Sequence, residues 1–478
     1  MYDIAIVGGG VVGALTAREL MRYNVSVCVL EKENDVACGA TKANSAIVHA
    51  GFDAHTGTLK AKLNVRGSQM MPFVAAELGV KYKNNGSLVV GYCDDDIAVL
   101  NELLERGNKN GAEGLRLIDA DELHGMEPNL SAKAICALYA PSGAIVCPYE
   151  LCIAAMGNAM DNGAELICGF EVTDIESADG GYIVKSDRSE IRARCIVNAA
   201  GMYADNVAKM IGDESFNIHP RRGEYILLDK ECGNITNCTV FQTPTAKGKG
   251  ILVSPTVDGN YIFGPTAVDI RDKGDKSTTQ SGFSKILSEV SGVLAQIPRG
   301  KAITSFCGLR AVGSTGDFII NIRGGNFVNV AGIESPGLSA SPAIAEYVAE
   351  LLKGSGILKE KNKSFDPIRT PSHLFRNAPD EIKNEMIKAR PDYGKIVCRC
   401  EQVTEGEIVD AIRTNPPAHD IDGIKRRTRA GMGRCQSGFC MPYVAKILSR
   451  ELNIPLEHVT KSGGKSNIII GRTKGEQR

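Results

Sequence analysis

A glycine triplet spaced G-x-G-x-x-G (Gly8, Gly10 and Gly13) stands between two short apolar runs and constrains this chain more than any other feature. Residues 2–7, YDIAIV, read as a parallel strand buried on both faces. Residues 11–23, VVGALTARELMRY, carry apolar side chains at helical spacing. Residues 24–33, NVSVCVLEKE, read as a second strand ending in Glu31. Together they predict a βαβ unit. In such a unit Gly8 permits the tight turn, Gly10 lets a pyrophosphate approach the backbone, and Gly13 lets helix and strand pack closely. The helix N-terminus adds N–H donors and positive potential. Glu31 follows Gly13 near the ~20-residue spacing at which a carboxylate takes ribose hydroxyls. A dinucleotide site is expected here.

The next stretch separates the candidate dinucleotides. Residues 40–63, ATKANSAIVHAGFDAHTGTLKAKL, resemble the D-amino-acid-oxidase-like flavoproteins, and three later segments repeat the resemblance in the same order. GFEVTDIE places Val172 on a strand that would touch the adenine. CIVNAAGMYAD ends an apolar strand at Ala200 and Gly201. VNVAGIESPGLSASPAIAEYVAELL, residues 328–352, reads as strand, glycine turn and helix. The resemblance implies FAD, with Thr41 to Ser45 running along pyrophosphate and flavin. It also implies that Gly337, Leu338 and Ser339 aim a helix N-terminus at the flavin pyrimidine, favouring negative charge on the reduced ring.

Within that family, residues 44–64 are most similar to FAD-dependent glycerol-3-phosphate dehydrogenases and oxidases, with L-2-hydroxyglutarate oxidases a near second. Both oxidise a secondary alcohol, which needs a base for the hydroxyl proton. The resemblance makes His49 that base, and imidazole, titrating at about 6.5 in water, suits the task. His55 is undecided, and the remaining histidines read as packing residues. A phosphate dianion calls for several cations and hydroxyls, whereas one Arg fork holds a carboxylate. The resemblance implies Lys249, in AKGKGILVSPT, and Arg310, in CGLRAVGSTGDFII, as the anion-binding pair, with Ser45 and Ser335 beside the flavin. PRRGEYILL also matches, at the start of an antiparallel substrate sheet, but Arg221 and Arg222 receive no role.

Length and composition fit this picture. A chain of 478 residues exceeds one core, and 43% hydrophobic content with 52 glycines suits an α/β enzyme. A net charge of −1 gives no footprint for nucleic acid. No basic leader and no long apolar run is present, so a cytoplasmic protein without a transmembrane segment is expected, with peripheral membrane contact left open. In that compartment most of the 15 cysteines would be reduced core residues.

Four of them are spaced otherwise. Past Leu352 the periodicity dissolves into a charged stretch broken by Pro367, Pro371, Pro379 and Pro391. Then come C-x-C, Cys398 and Cys400, and C-x₄-C, Cys435 and Cys440, among Gly431, Gly433 and Gly438. Soft thiolates with glycine turns at the sulfurs suit an iron–sulfur cluster, and C-x-C fits zinc knuckles poorly. The segment resembles the bacterioferritin-associated ferredoxin domain, which implies a 2Fe–2S cluster on these four cysteines. The run Lys425, Arg426, Arg427 and Arg429 reads as a solvated helix face or a docking patch for an acidic partner.

The expected fold is α/β: a doubly wound, Rossmann-like FAD domain interleaved with an antiparallel substrate sheet over residues 1–355, a linker 356–393, a small helical iron–sulfur domain 394–455 and a tail 456–478. The expected activity is oxidation of sn-glycerol 3-phosphate, a small phosphorylated alcohol, to dihydroxyacetone phosphate. Electrons would pass to a partner redox protein such as a second flavoprotein subunit. A 2-hydroxy-acid or amino-acid dehydrogenase on the same scaffold and a non-catalytic electron-transfer subunit are the alternatives.

Overall fold

The computed structural model describes residues 1–244, 250–371 and 374–471. The strand Tyr2–Val7 lies inside an eight-stranded sheet, parallel to Val27–Glu31 on one side and to Glu190–Asn198 on the other. Glu165–Cys168 extends the sheet in parallel beyond Val27–Glu31. Glu190–Asn198 forks: its first half pairs antiparallel with Gly181–Lys185, its second half in parallel with Phe327–Ala331. Alternation along the strands feeds two cores. Ile4, Ile6, Val27 and Val29 face one, and Ala5, Val7, Cys28 and Leu30 face the other. Both sides of each strand are therefore buried, which is why these runs are continuously apolar.

Helices Val11–Leu20, Pro148–Asp161 and Gly337–Gly354 pack on the first face. Ala14 and Ala17 on the first helix, and Ala340 and Ala343 on the last, are fully or almost fully buried there. The second face is covered by the hairpin Asp174–Ala178 and Gly181–Lys185, through Ile175, Tyr182 and Val184, where a doubly wound sheet would carry helices.

The second sheet has nine strands, and its spine is the long antiparallel pair Ile218–Leu228 and Ala302–Gly313. One pair departs from the antiparallel expectation. Ser87–Gly91 and Thr239–Gln242 run parallel, because each enters the sheet from a separate excursion out of the first domain layer. The two sheets alternate along the chain, so both contribute walls to the space between them. Among the described residues no helix is long and apolar enough to cross a membrane.

Past residue 393 the chain builds a separate small core. Helices Glu405–Arg413, Ile421–Thr428 and Met441–Leu452 close around Ile408, Ile424 and Leu448. Thr404 and Glu407 form a capping box: Thr404 Oγ1 accepts the Glu407 N–H at 3.3 Å and Glu407 Oε2 accepts the Thr404 N–H at 2.9 Å. The proline-broken stretch ahead of this domain is fixed at both ends. Asp366 accepts from the Asn158 and Asn162 amides, and Arg369 donates to the Ala154 carbonyl at 3.0 Å. Further on, Phe375 stacks on Tyr393 at 4.9 Å and Arg376 donates to the Thr428 carbonyl at 2.8 Å.

The basic run is not a solvated face. Arg426, Arg427 and Arg429 are buried, and the acid they meet belongs to the same chain. Arg427 grips Asp35 through both terminal nitrogens at 2.8 Å, and Arg426 reaches the same carboxylate. Arg429 binds Asp258 at 2.6 Å, Asn260 at 3.0 Å and Glu401 at 2.9 Å. Burial pushes the Asp35 carboxyl up, but the two guanidinium groups outweigh it and hold the group at about 2.

A carboxyl held below its ordinary ~3.9 lends stability that is present above that value and lost as pH falls towards 2. Domain docking should therefore be flat from about pH 5 upwards and fail in acid. Asp35→Asn leaves two buried guanidinium groups uncompensated, a change expected to cost about 3–5 kcal/mol. Denaturant unfolding followed at pH 7 checks this, and wild-type stability in the variant would remove the clamp from the account.

Candidate active site and thiolate centre

The two sheets enclose a cleft of about 1830 Å³. At its floor the glycines divide by what each has to avoid. Gly8 has φ +112°, and a Cβ there would lie 2.4 Å from the Ala199 carbonyl oxygen. A Cβ on Gly13 would lie 2.0 Å from the Gly8 oxygen, so these two glycines are demanded by the fold. At Gly10 the nearest protein atom is Thr41 Oγ1 at 3.4 Å, an ordinary contact. Space at Gly10 is open to the cleft, where a pyrophosphate needs it. Glu31 is buried at the end of its strand and accepts the Gly9 N–H at 2.7 Å and the Glu33 N–H at 2.9 Å. Burial pushes its carboxyl up, against those two bonds.

Thr41 Oγ1 accepts the Val11 N–H at 3.0 Å, tying the flavin-side loop to the helix N-terminus. Ala200 and Gly201 line the same wall. Val172 lines it too, but from a loop rather than a strand, because Gly169 at φ +70° ends Glu165–Cys168 first. Gly337 and Leu338 face the cleft at the start of their helix. Ser339 is fully buried instead: its hydroxyl accepts the His49 N–H at 2.7 Å and donates to the Ile47 carbonyl at 3.2 Å. It holds the strand Ile47–Val48 in place.

Four residues singled out from the sequence, Ser45, His49, Arg310 and Ser335, line this same cleft, and His49 Nε2 lies 3.5 Å from the Ser335 hydroxyl. The His49 ring sits 5.8 Å from Phe241. Arg310 stands opposite Arg221 in the long strand pair. Two like charges in register are unfavourable, and Asp269 relieves them by taking Arg221 in a bidentate pair at 2.7 and 3.2 Å. Among the described residues Arg310 makes one hydrogen bond, to the Thr266 carbonyl at 3.2 Å, which leaves most of its five donors for an anion. Lys249 lies outside the described residues. Two cleft residues escaped the sequence reading. Tyr225 places its hydroxyl 3.2 Å from Ser45 and stacks on Phe306 at 4.7 Å, and Lys60 pairs with Glu334 at 2.8 Å. Strand alternation in PRRGEYILL could have indicated Tyr225; nothing in the sequence pairs Lys60 with Glu334.

In the C-terminal domain the thiols associate two and two. Cys400 and Cys435 are 3.6 Å apart. The neighbouring Cys440 thiol, with the backbone N–H groups of Gly431 and Glu401, holds the Cys398 thiol well below its ordinary value against burial. A Cβ on Gly433 would lie 2.2 Å from the Cys400 Cβ, and Gly431 adopts φ +94°. Among the described residues no three Cys, His, Asp or Glu side chains converge on a single-ion point. Four thiols gathered in this way, with N–H donors at the sulfurs, fit a 2Fe–2S cluster, which Cys398, Cys400, Cys435 and Cys440 would hold.

A glycine-turn dinucleotide cleft opening onto a second sheet, joined to a four-thiol domain, defines a flavin- and iron–sulfur-dependent oxidoreductase. Residues 3–351 match the model of the FAD dependent oxidoreductase family, and the chain belongs to that family. Residues 396–450 match the BFD-like 2Fe-2S binding domain. FAD and a 2Fe–2S cluster are its cofactors. The chain is 45% identical over 478 residues to glycerol 3-phosphate dehydrogenase of Caloramator mitchellensis, covering 100% of both proteins. It is similar to the FAD-bound structure of L-alpha-glycerophosphate oxidase from Mycoplasma pneumoniae, with TM-score 0.72 and 30% identity over 77% of this chain and 98% of that one. L-2-hydroxyglutarate dehydrogenase of Escherichia coli is 32% identical over 275 residues, 56% of this chain and 64% of the relative.

The glycine geometry separates folding from cofactor binding. Gly10→Ala should keep the wild-type melting temperature in the apoprotein but lose FAD affinity by about tenfold or more, since the added methyl points at the ligand. Gly13→Ala should lower the melting temperature, because its methyl meets backbone. Equal FAD affinity in Gly10→Ala and wild type, by fluorescence titration, would contradict the assignment.

Proposed function

We propose that the protein oxidises sn-glycerol 3-phosphate to dihydroxyacetone phosphate and delivers the electrons through its C-terminal domain to a partner redox protein. The observation that carries this reading is that His49, Ser335 and Arg310 line one flavin cleft, with His49 Nε2 3.5 Å from the Ser335 hydroxyl. The full-length similarity to a glycerol 3-phosphate dehydrogenase supports the choice of substrate. When bound, FAD accepts the hydride of a secondary alcohol and a 2Fe–2S cluster passes electrons singly. Everything else falls to side chains of this chain.

Arg310, with Lys249, would hold the phosphate as charge-assisted donors. That grip fixes the alcohol carbon and leaves its hydroxyl towards His49. His49 would take the hydroxyl proton as the carbonyl forms, with the Ser335 hydroxyl 3.5 Å from its Nε2. Ser339 keeps the imidazole in place from behind by holding its backbone N–H. Phe241 and Tyr225 add aromatic surface to the cleft wall. Cys398, Cys400, Cys435 and Cys440 would hold the cluster, and Gly8, Gly10, Gly13, Glu31, Thr41 and Gly337 would surround the FAD. A 2-hydroxy carboxylate is the second reading, favoured by Arg310, which among the described residues makes one hydrogen bond and keeps most of its donors for an anion.

His49→Ala should slow flavin bleaching by substrate roughly 10²–10⁴-fold with FAD retained. Stopped-flow absorbance reads this, and a near-normal rate would retire His49 in favour of His55. Lys249→Ala should raise KM for glycerol 3-phosphate by the equivalent of about 1.5–3 kcal/mol. An unchanged KM would instead favour the carboxylate substrate.

A further inference from the structure

We propose that the exposed collar around the thiols, formed by Arg399, Phe439 and Tyr443, is a docking surface for an acidic electron-carrier protein. The proposal rests on the electron outlet described above. The four thiols have an inner and an outer edge: Cys398 and Cys440 are buried, Cys435 is half-buried and Cys400 is exposed. Single electrons leave by the outer edge, and the side chains flanking it meet whatever takes them. Phe439, immediately before Cys440, is 81% exposed, and Tyr443, whose N–H bonds the Cys440 carbonyl at 3.1 Å, is 62% exposed. Ile396, two residues before Cys398, is exposed as well. Aromatic side chains held this far into water beside a redox centre are contact anchors of the kind interfaces favour.

Charge decides the partner. The ligand-bearing segments 395–400 and 433–446 contain Lys395, Arg399, Arg434 and Lys446 and no acidic residue. Arg434 answers Glu231 of the N-terminal domain, and Lys395 lies 3.7 Å from Glu405. Arg399, between two of the cysteines, has no hydrogen-bond or ion-pair partner among the described residues. A small aromatic patch beside a cation that no described side chain pairs suits a brief encounter steered by charge, which is how electron-transfer pairs meet. The complementary surface is acidic and carries its own redox group at the edge. Each encounter would reoxidise the cluster by one electron and reduce the carrier by one. Two encounters would drain the pair of electrons taken from one alcohol.

The holoenzyme can be tested with flavodoxin as the acidic carrier and cytochrome c as a basic one, reading both the dissociation constant and the second-order reduction rate. Arg399→Glu should weaken flavodoxin binding and slow its reduction by about tenfold or more at low ionic strength. The loss should shrink at about 0.5 M salt. Phe439→Ala should weaken both by about threefold or more at either salt concentration, with flavin bleaching by substrate unchanged. Wild-type binding and reduction in both variants would overturn the collar, provided Cys435→Ser/Cys440→Ser no longer reduces flavodoxin. So would a preference for cytochrome c, or binding to anionic phospholipid vesicles that Arg399→Glu abolishes while flavodoxin reduction stays normal. Wild-type reduction by the double cysteine variant would instead sink the outlet reading, and the collar with it.

Discussion

Asp35 is where the two halves of the molecule meet. Its carboxylate is almost completely buried between the guanidinium groups of Arg426 and Arg427, one domain supplying the anion and the other both cations. Buried ion pairs recover little net stability over an apolar contact, but they fix geometry, since a displaced partner strands a charge in the interior. The position of Asp35 gives this geometry its consequence. It lies in the short loop between Glu31, at the ribose end of the cofactor cleft, and Thr41, which bonds the first helix at its N-terminus. The loop that shapes the FAD site is thus also the loop that seats the thiolate domain.

Arg429 makes the second attachment and reaches the chemistry from the other side. Its guanidinium joins Asp258 and Asn260, on the turn of the substrate sheet, to Glu401, next to Cys400. Lys230 binds the same Glu401 at 2.9 Å, and the Glu401 N–H bonds the Cys398 sulfur. Both attachments end within a few residues of a cofactor-binding group. The C-terminal domain is therefore seated against the N-terminal one, and the described residues of the proline-broken stretch before it are attached on both sides.

What the sequence revealed followed the range of the forces involved. The βαβ unit was legible because turn, helix and strand are decided by neighbours in the chain, and Gly8 and Gly13 each answer a backbone contact. The four cysteines were legible because thiol spacing and glycine turns are local too. His49, Ser335 and Arg310 were singled out through resemblance alone, since they come from distant segments that line one cleft only in the folded chain. The burial of Arg426 and Arg427 was not legible, since a run of cations on a helix looks the same whether it faces water or a carboxylate hundreds of residues earlier in the chain. The hairpin on the second face of the sheet was missed for a related reason, as an apolar face records that it is covered and not by what. Val172 moved from strand to loop because a single positive φ at Gly169 outweighed β propensity.

On the function proposed above, electrons taken from an alcohol in the N-terminal cleft would pass within one molecule to a 2Fe–2S cluster on Cys398, Cys400, Cys435 and Cys440. Freeze-quench electron paramagnetic resonance of the holoenzyme mixed with glycerol 3-phosphate tests this directly. The expected result is the signal of a reduced 2Fe–2S cluster, growing in after flavin bleaching at a rate independent of protein concentration. A bleached flavin with no cluster signal, or a signal whose rate rises in proportion to protein concentration, would contradict it.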